Sequence, residues 1–155
     1  MPAGSDERRA PALPHTFRPF GVRIAAAVLG SVLLVVAVGT WFAFPADIRD
    51  EFTAFQVVTI LFLGLMFYSA GFALARSRVV ARADGLLVVN GYRARRFEWA
   101  EVVAVTLRPG SPWAVLDLSD GTTVAAMGIQ GSDGARARAA VRQLRVLVDE
   151  MSGLG

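Results

Sequence analysis

The stretch RVVARADGLLVVNGYRARRFEW, residues 78–99, decides the fold of the C-terminal half of the chain. Apolar and polar residues alternate along it, and two turn signals, Asp84-Gly85 and Asn90-Gly91, interrupt it. Both dipeptides tolerate the positive φ angles that tight hairpin turns require. The pattern therefore predicts three short antiparallel strands joined by tight turns.

The residues after this stretch continue the strand pattern and then change period. Three more strand candidates are EVVAVTLR at 101–108, WAVLDLS at 113–119 and TTVAAM at 122–127. In residues 133–151, apolar side chains recur at helical spacing, with Ser132 or Asp133 at the N-cap position. Residues 76–155 are therefore predicted to form an antiparallel β meander, a partial barrel, capped by one C-terminal α-helix.

Two charge-free runs precede this domain. Residues 24–44 and 55–75 contain no charged side chain, and the chain as a whole is 54% apolar but only 19% charged. Each run of about 20 residues spans roughly 30 Å as a helix, which is the thickness of the hydrocarbon layer of a bilayer. Both runs are apolar on every face, unlike the helices of soluble proteins. We therefore predict a transmembrane helical hairpin over residues 21–75 and, with the β domain, an α+β membrane protein.

The arginines indicate which side of the membrane the domain occupies. Every basic residue of the chain is an arginine, and arginines flank the two predicted spans on the side of the domain: Arg8, Arg9, Arg18, Arg23, Arg76, Arg78 and Arg82. The short acidic loop between the spans holds only Arg49. Because positively charged flanks stay in the cytoplasm, both termini of this two-span cell-membrane protein are predicted to be cytoplasmic.

The N-terminal segment has the composition of an unstructured tail. Residues 1–20 hold four prolines and show no apolar periodicity, so they are predicted to form a disordered cytosolic tail. Phe17 and Phe20 lie next to the first span, where aromatic residues are typical of a membrane interface.

Several motifs of the β domain occur in a characteristic order: DGLLVVNGYRARRFEWAEVVAV at 84–105, WAVLDLSDGTTV at 113–124 and SDG at 132–134. Together with the two preceding spans, they resemble the bacterial PH-domain family of actinobacterial membrane proteins, which includes a mycobacterial low-molecular-weight protein antigen. The resemblance covers roughly residues 24–149. It implies a PH-like fold at a membrane, and it transfers no catalytic residue.

The residue types that carry most enzyme chemistry are sparse. The chain has no cysteine, its single histidine is His15 in the Pro-rich tail, and it contains no nucleophile elbow or phosphate-binding glycine loop. The glycine-rich run 128–134 leads into a helix and could hold an anion, but it also suits a simple connecting loop. Turn geometry accounts for Asp84, Asp120, Glu98 and Glu101. We expect no enzyme, no cofactor, no metal and, at a net charge of +3, no nucleic-acid partner.

Six arginines are the candidate contact residues. Arg76, Arg78 and Arg82 are predicted on one face of an extended strand just below the membrane, and Arg93, Arg95 and Arg96 follow the Asn-Gly turn. Arginines near an anionic leaflet attract lipid headgroups, although they also serve topology and solubility alone. The tight turns between the first predicted strands favour no deep headgroup pocket. Trp99 and Trp113 suit the core or, alternatively, a surface on which a ligand stacks.

These observations favour a non-enzymatic integral membrane protein that displays a cytosolic PH-like interaction module at the inner leaflet. Its partner is the lipid bilayer with its anionic headgroups or, as we favour, a membrane-associated protein that adds to an exposed strand edge. The alternative is an accessory or structural subunit of a larger membrane or cell-envelope complex.

Overall fold

The structure is a computed structural model, and it describes residues 10–153. Its elements are β1 (His15–Phe17), α1 (Gly21–Ala43), α2 (Ala46–Asp50), α3 (Ala54–Arg76), β2 (Arg78–Arg82), β3 (Gly85–Asn90), β4 (Arg93–Phe97), β5 (Val102–Thr106), β6 (Trp113–Leu118), β7 (Thr123–Gln130) and α4 (Ala135–Ser152). Short 3-10 turns occupy Trp99–Glu101 and Gly131–Asp133.

Two antiparallel helices, α1 and α3, form an apolar hairpin whose tip is the short helix α2. Both are 23 residues long, apolar enough to cross a membrane by length and composition, and without a buried residue. They begin and end close to the predicted spans 24–44 and 55–75. Pro45 follows Phe44, the C-cap of α1, and Thr53 caps α3 through reciprocal hydrogen bonds with Gln56.

The predicted hairpin strands form a first sheet in the order β1-β2-β3-β4. Arg82 pairs with Gly85 across one turn, and Asn90 pairs with Arg93 across the other. Gly85 and Gly91 have φ angles of 141° and 58°, so the two predicted turn signals act through glycine. The α+β fold class and the antiparallel pairing of these strands are confirmed.

The remaining strands form a separate second sheet in the order β5-β6-β7, so the predicted single meander divides in two. The break lies at the 3-10 turn Trp99–Glu101, which turns the chain between β4 and β5. The two sheets meet where β7 crosses the start of β2. A Cβ on Gly128 would lie 2.6 Å from the Cα of Arg78, so only glycine permits this close crossing.

Helix α4 covers the open side of the two sheets, as predicted, although it begins at Ala135 and not at residue 133. Its apolar stripe, Ala137, Val141, Leu144, Leu147 and Val148, is buried in the same core as Leu86, Leu116 and Trp99. The indole Nε1 of Trp99 donates to the carbonyl of Arg82 at 3.0 Å. Trp99 is therefore a core residue whose polar atom has a partner.

The prediction of a disordered tail over residues 1–20 is wrong for residues 15–17, and residues 1–9 lie outside the described part of the chain. His15, Thr16 and Phe17 form β1 and pair with Ala81, Val80 and Val79 of β2. Phe17 is 5% exposed and packs in the core, not at a membrane interface. A strand contact with β2 outweighs the disorder that the prolines suggest.

This pairing changes the topology that the sequence implied. The strand β1 precedes the apolar hairpin and β2 follows it, so α1, α2 and α3 are together an insertion between two neighbouring strands of one sheet. The first strand connection of the domain is therefore the apolar hairpin itself, and not a tight turn.

Candidate functional site

The domain contacts the second long helix through the turn between β3 and β4. The hydroxyl of Tyr92 donates to the carbonyl of Ser69 at 3.0 Å and lies 2.8 Å from the Ser69 hydroxyl. Below it, the amide of Gly91 donates to the Ser77 hydroxyl at 2.9 Å, which in turn donates to the carbonyl of Ala73. Hydrogen bonds over two turns of α3 therefore hold this hairpin turn against the helix.

Arg76 belongs to the same junction. Its guanidinium carbon lies 5.4 Å from the ring centre of Tyr92 and 5.8 Å from that of Phe72, which is cation–π geometry. The prediction that Arg76 shares a strand face with Arg78 and Arg82 is wrong, because α3 continues through residue 76. Arg78 and Arg82 do lie on one face of β2, four residues apart.

A second junction joins the domain to the first long helix. The carboxylate of Asp133 accepts hydrogen bonds from the backbone amides of Phe20 and Gly21, each at 2.8 Å. It therefore satisfies two of the amides left unpaired at the start of α1, where the helix dipole also favours a negative charge. The guanidinium carbon of Arg136 lies 4.0 Å from the ring centre of Phe20.

This second junction corrects the prediction that Asp133 or Ser132 caps the C-terminal helix. Gly134, with a φ of 58°, occupies the N-cap of α4, and no side chain caps that end. The carboxylate of Asp133 caps α1 instead. The glycine-rich run 128–134 is thus a connecting segment: Gly128 allows the sheet crossing, and Asp133 anchors α1.

The three arginines of β4 lie on the edge of the first sheet and are all exposed. Arg93 and Arg95 point to one face of the sheet and Arg96 to the other, because side chains alternate along a strand. The guanidinium of Arg95 lies 5.0 Å from the ring centre of Phe97. The cluster that the sequence suggested is therefore split between two faces.

Arg96 and Arg82 instead line one shallow depression beside the turn at Asp84. Its volume is about 30 Å³, and Leu87 also lines it. A larger open groove of about 260 Å³ lies on the second sheet and is lined by Thr106, Arg108, Ser111, Val115, Asp117 and Thr123. The depression between the two arginines is too small to enclose a lipid headgroup.

The predicted arginines lie at two different distances from the apolar hairpin. Arg76 and Arg93 adjoin the junction at Tyr92, whereas Arg82 and Arg96 lie at the far ends of their strands. Arg96 is three residues beyond Arg93, which is roughly 10 Å along a strand. Arg136 of α4 lies at the hairpin end as well, so Arg76, Arg93 and Arg136 form the hairpin-proximal group.

Three further carboxylates of the domain, those of Glu98, Glu101 and Asp120, have structural partners. Glu98 and Glu101 form a capping box around the 3-10 turn, as their predicted shared turn requires. The side chain and backbone amide of Thr122 hydrogen-bond Asp120 and hold the pKa of that carboxyl below its usual value, with a minor contribution from the charge of Arg95. Across residues 10–153, no group of three or more His, Asp or Glu side chains could hold a metal ion.

The comparison with protein families identifies the domain. Residues 76–146, from the end of α3 into α4, match the family model described as a bacterial PH domain. The β domain is PH-like, and its similarity to this family covers less than half of the chain. The match does not reach β1, so the strand that completes the first sheet lies outside the part of the β domain that resembles this family.

Two mycobacterial proteins are similar to the chain. Over 86 residues it is 38% identical to uncharacterized protein Rv1417 of Mycobacterium tuberculosis and to uncharacterized protein Mb1452 of Mycobacterium bovis. The aligned segment covers 56% of this chain and 56% of each relative, so the chain spans little more than half the length of these curated relatives. No solved structure matches it significantly. The predicted resemblance to actinobacterial proteins with a bacterial PH domain is confirmed.

Three residues at the junctions of the PH-like domain are not predicted as site residues. The sequence patterns place Tyr92 only in a strand and Asp133 only at the cap of its own helix, and they single out no role for Arg136. Tyr92 directly follows the Asn-Gly turn, and its side chain remains 60% exposed although its hydroxyl reaches Ser69. Asp133 and Arg136 carry no comparable local signal, because their partners lie more than a hundred residues earlier.

Proposed function

We propose that the chain is an integral membrane protein in which α1 and α3 cross the cell membrane and the PH domain is a non-enzymatic interaction module at the inner leaflet. Both termini are cytoplasmic in this proposal. The observation that carries it is the pairing of β1 with β2, which makes the two long apolar helices an insertion within the sheet. A membrane that holds α1 and α3 therefore also holds the PH-like domain at its surface.

The two junctions support a domain seated directly on the bilayer. Tyr92 contacts α3 at Ser69, seven residues before the end of the helix at Arg76. This position suits the membrane interface, where tyrosines are enriched. The hairpin-proximal arginines Arg76, Arg93 and Arg136 lie at the same end of the domain, next to the apolar hairpin. Each arginine near an anionic leaflet contributes about 1 kcal/mol of attraction, so these residues suit headgroup contact and retention of the domain on the cytoplasmic side.

A membrane-associated protein is the favoured partner of the more distant surface. Arg82 and Arg96 line only a shallow depression, which supports no enclosed headgroup site. The exposed β4, by contrast, offers an unpaired strand edge. Anchoring raises the effective concentration of the domain for any partner in the same membrane, so a weak contact suffices.

The topology can be tested with single cysteines, because the natural chain has none. Glu51→Cys lies at the tip of the apolar hairpin, and Ser119→Cys lies in the exposed turn after β6. In intact cells, a membrane-impermeant maleimide should label only the Glu51→Cys protein, and Ser119→Cys should react after permeabilisation. Labelling of Ser119→Cys in intact cells, with Glu51→Cys protected, would reverse the proposed orientation.

Replacing α1 and α3 with unrelated spans distinguishes the proposed interaction module from the alternative, in which the chain is an accessory subunit of a larger complex. A module keeps its cytoplasmic contacts after this exchange if the two junctions are preserved. A subunit that assembles through its helices loses its complex.

A further inference from the structure

We propose that β4 is a docking edge for an acidic, extended segment of a partner protein, which adds to the first sheet as a fifth strand. This inference rests on the proposed function, because it names the chemistry of the module's partner. It begins from the edges that the fold leaves open. The first sheet has two edge strands, β1 and β4, and the second sheet has β5 and β7.

Three of these four edges are poor acceptors of another strand. β1 has only three residues and lies between Pro14 and Pro19, which limits any pairing along it. β7 packs against β2 and β3. β5 packs against α4, and the Nε of Arg145 donates to the carbonyl of Val105 at 2.6 Å.

β4 is different because its outer side is open. Residues 93–96 are exposed, and within residues 10–153 this strand pairs with β3 alone. Asn90 and Arg93 close the tight turn, so the pairs further along alternate between bonded and non-bonded. The amide and carbonyl groups of Ala94 and Arg96 accordingly point away from β3, in the positions that an added strand would use.

The charge of this edge selects the partner. Arg93, Arg95 and Arg96 occupy three of the five positions of β4, and no acidic residue lies on the strand. The charge of Arg95 has a minor effect on the pKa of Asp120. Within residues 10–153, no carboxylate forms an ion pair with Arg93 or Arg96. Arginines on both faces suit an added strand that carries carboxylates on both of its faces.

The position of β4 also limits where the partner comes from. The strand begins at Arg93, directly after Tyr92, which is hydrogen-bonded to α3, and it runs away from the apolar hairpin. An added strand therefore begins or ends beside the hairpin. An acidic segment next to the membrane span of a second protein meets this requirement.

The test uses the full chain in nanodiscs of neutral lipid and a fluorescent, capped peptide with the repeat Glu-Glu-Thr-Thr, which places carboxylates on both faces of a strand. Fluorescence anisotropy should show saturable binding. A peptide of the same charge with Pro in place of Thr should not bind, because it cannot form a strand ladder.

Two variants distinguish the contribution of strand hydrogen bonding from that of the arginine charges. Ala94→Pro removes an outward amide without removing a bond to β3, and Ala94→Val is its matched control. The triple variant Arg93→Gln, Arg95→Gln and Arg96→Gln removes the charge and keeps the strand. We expect binding to weaken roughly tenfold in Ala94→Pro and in the triple variant, and to be unchanged in Ala94→Val.

Three outcomes overturn the inference: no binding by the folded parent protein, equal binding of the Pro-containing peptide, or undiminished binding by a folded Ala94→Pro protein. If Ala94→Pro fails to fold, the triple variant and the Pro-containing peptide still test the inference. The cysteine-labelling result is independent of all of these, so β4 docking and the proposed membrane topology can fail separately. A further result would assign β4 to the membrane instead. In that case anionic nanodiscs abolish peptide binding, and the three arginines are required for binding both the peptide and the anionic lipid.

Discussion

The carboxylate of Asp133 lies 2.8 Å from the backbone nitrogen of Gly21, a residue 112 positions earlier in the chain. An acidic side chain from the end of the β domain thus caps the first long apolar helix. With the Tyr92–Ser69 contact, it gives the domain one attachment to each helix of the hairpin.

Removal of the Asp133 carboxylate should destabilise the start of α1. We expect Asp133→Ala to lower the free energy of unfolding by about 1 kcal/mol, because two helix amides lose their acceptor. Asp133→Asn should have a smaller effect, since its single carbonyl still serves one amide. Thermal unfolding of the full chain in nanodiscs measures both, with the exposed neighbour Ser132→Ala as the control. Equal transition temperatures for Asp133→Ala and Ser132→Ala would show that the cap contributes nothing.

The contact between Tyr92 and Ser69 should behave as a coupled pair. Tyr92→Phe removes a hydroxyl that bonds both the carbonyl and the side chain of Ser69, at an expected cost of about 1 kcal/mol. In the double variant with Ser69→Ala, the total loss should be smaller than the sum of the single losses. A double-mutant cycle from chemical denaturation gives this coupling, with Tyr68→Phe on the same helix as the control. Strict additivity would mean that the two hydroxyls do not interact.

The strand β1 should matter to stability more than its length suggests. Phe17→Ala is expected to cost about 3–5 kcal/mol, because the ring is 5% exposed and its loss leaves a cavity. Thr16→Ala, an exposed change on the same strand, should stay within about 0.5 kcal/mol. Denaturant unfolding of the full chain measures the difference.

A fragment that begins at Arg78 follows from the same argument. It lacks β1, so it exposes the edge of β2 and the cavity left by Phe17. We expect this fragment to self-associate through the open edge. Size-exclusion chromatography tests this against a version in which residues 10–20 are joined to Ser77 by a flexible linker. A monomeric, folded fragment without β1 would contradict the importance of this strand.

The Asp120 carboxyl should titrate below the usual range of an aspartate, mainly because the side chain of Thr122 bonds it. A folded-state pKa below the unfolded value stabilises the protein at pH above the unfolded pKa, and this contribution is lost as the pH falls through the folded pKa. Thr122→Val should raise the pKa toward its ordinary value while the backbone bond persists. Carboxyl NMR titration of the parent protein and of Thr122→Val measures the change.

The apolar hairpin and most of the domain could be predicted because their signals are local. Charge-free runs mark α1 and α3, and the Asp-Gly and Asn-Gly turns fix the pairing of β2, β3 and β4 within a few residues. The apolar repeat of α4 likewise needs only neighbours along the chain. Each of these patterns depends on residues less than one helix or hairpin apart.

The N-terminal strand and the two junctions could not be predicted for the opposite reason. His15–Phe17 is too short and too close to prolines to show a period, and its partner β2 lies beyond the whole hairpin. The break between the two sheets depends on the turn of the chain at Trp99 and on the close approach that Gly128 permits. Such contacts arise from tertiary packing, to which single-sequence patterns are insensitive.

The insertion of the hairpin between β1 and β2 makes the order of biosynthesis part of the folding problem. If the two helices cross a bilayer as proposed, a chain with only one helix inserted leaves residues 15–17 and residues 78–152 on opposite sides. Its first sheet then lacks a strand, and its core lacks Phe17. A complete sheet forms only after both crossings succeed, so the fold of the domain acts as a check on correct insertion, and misinserted chains present an open sheet to cellular quality control.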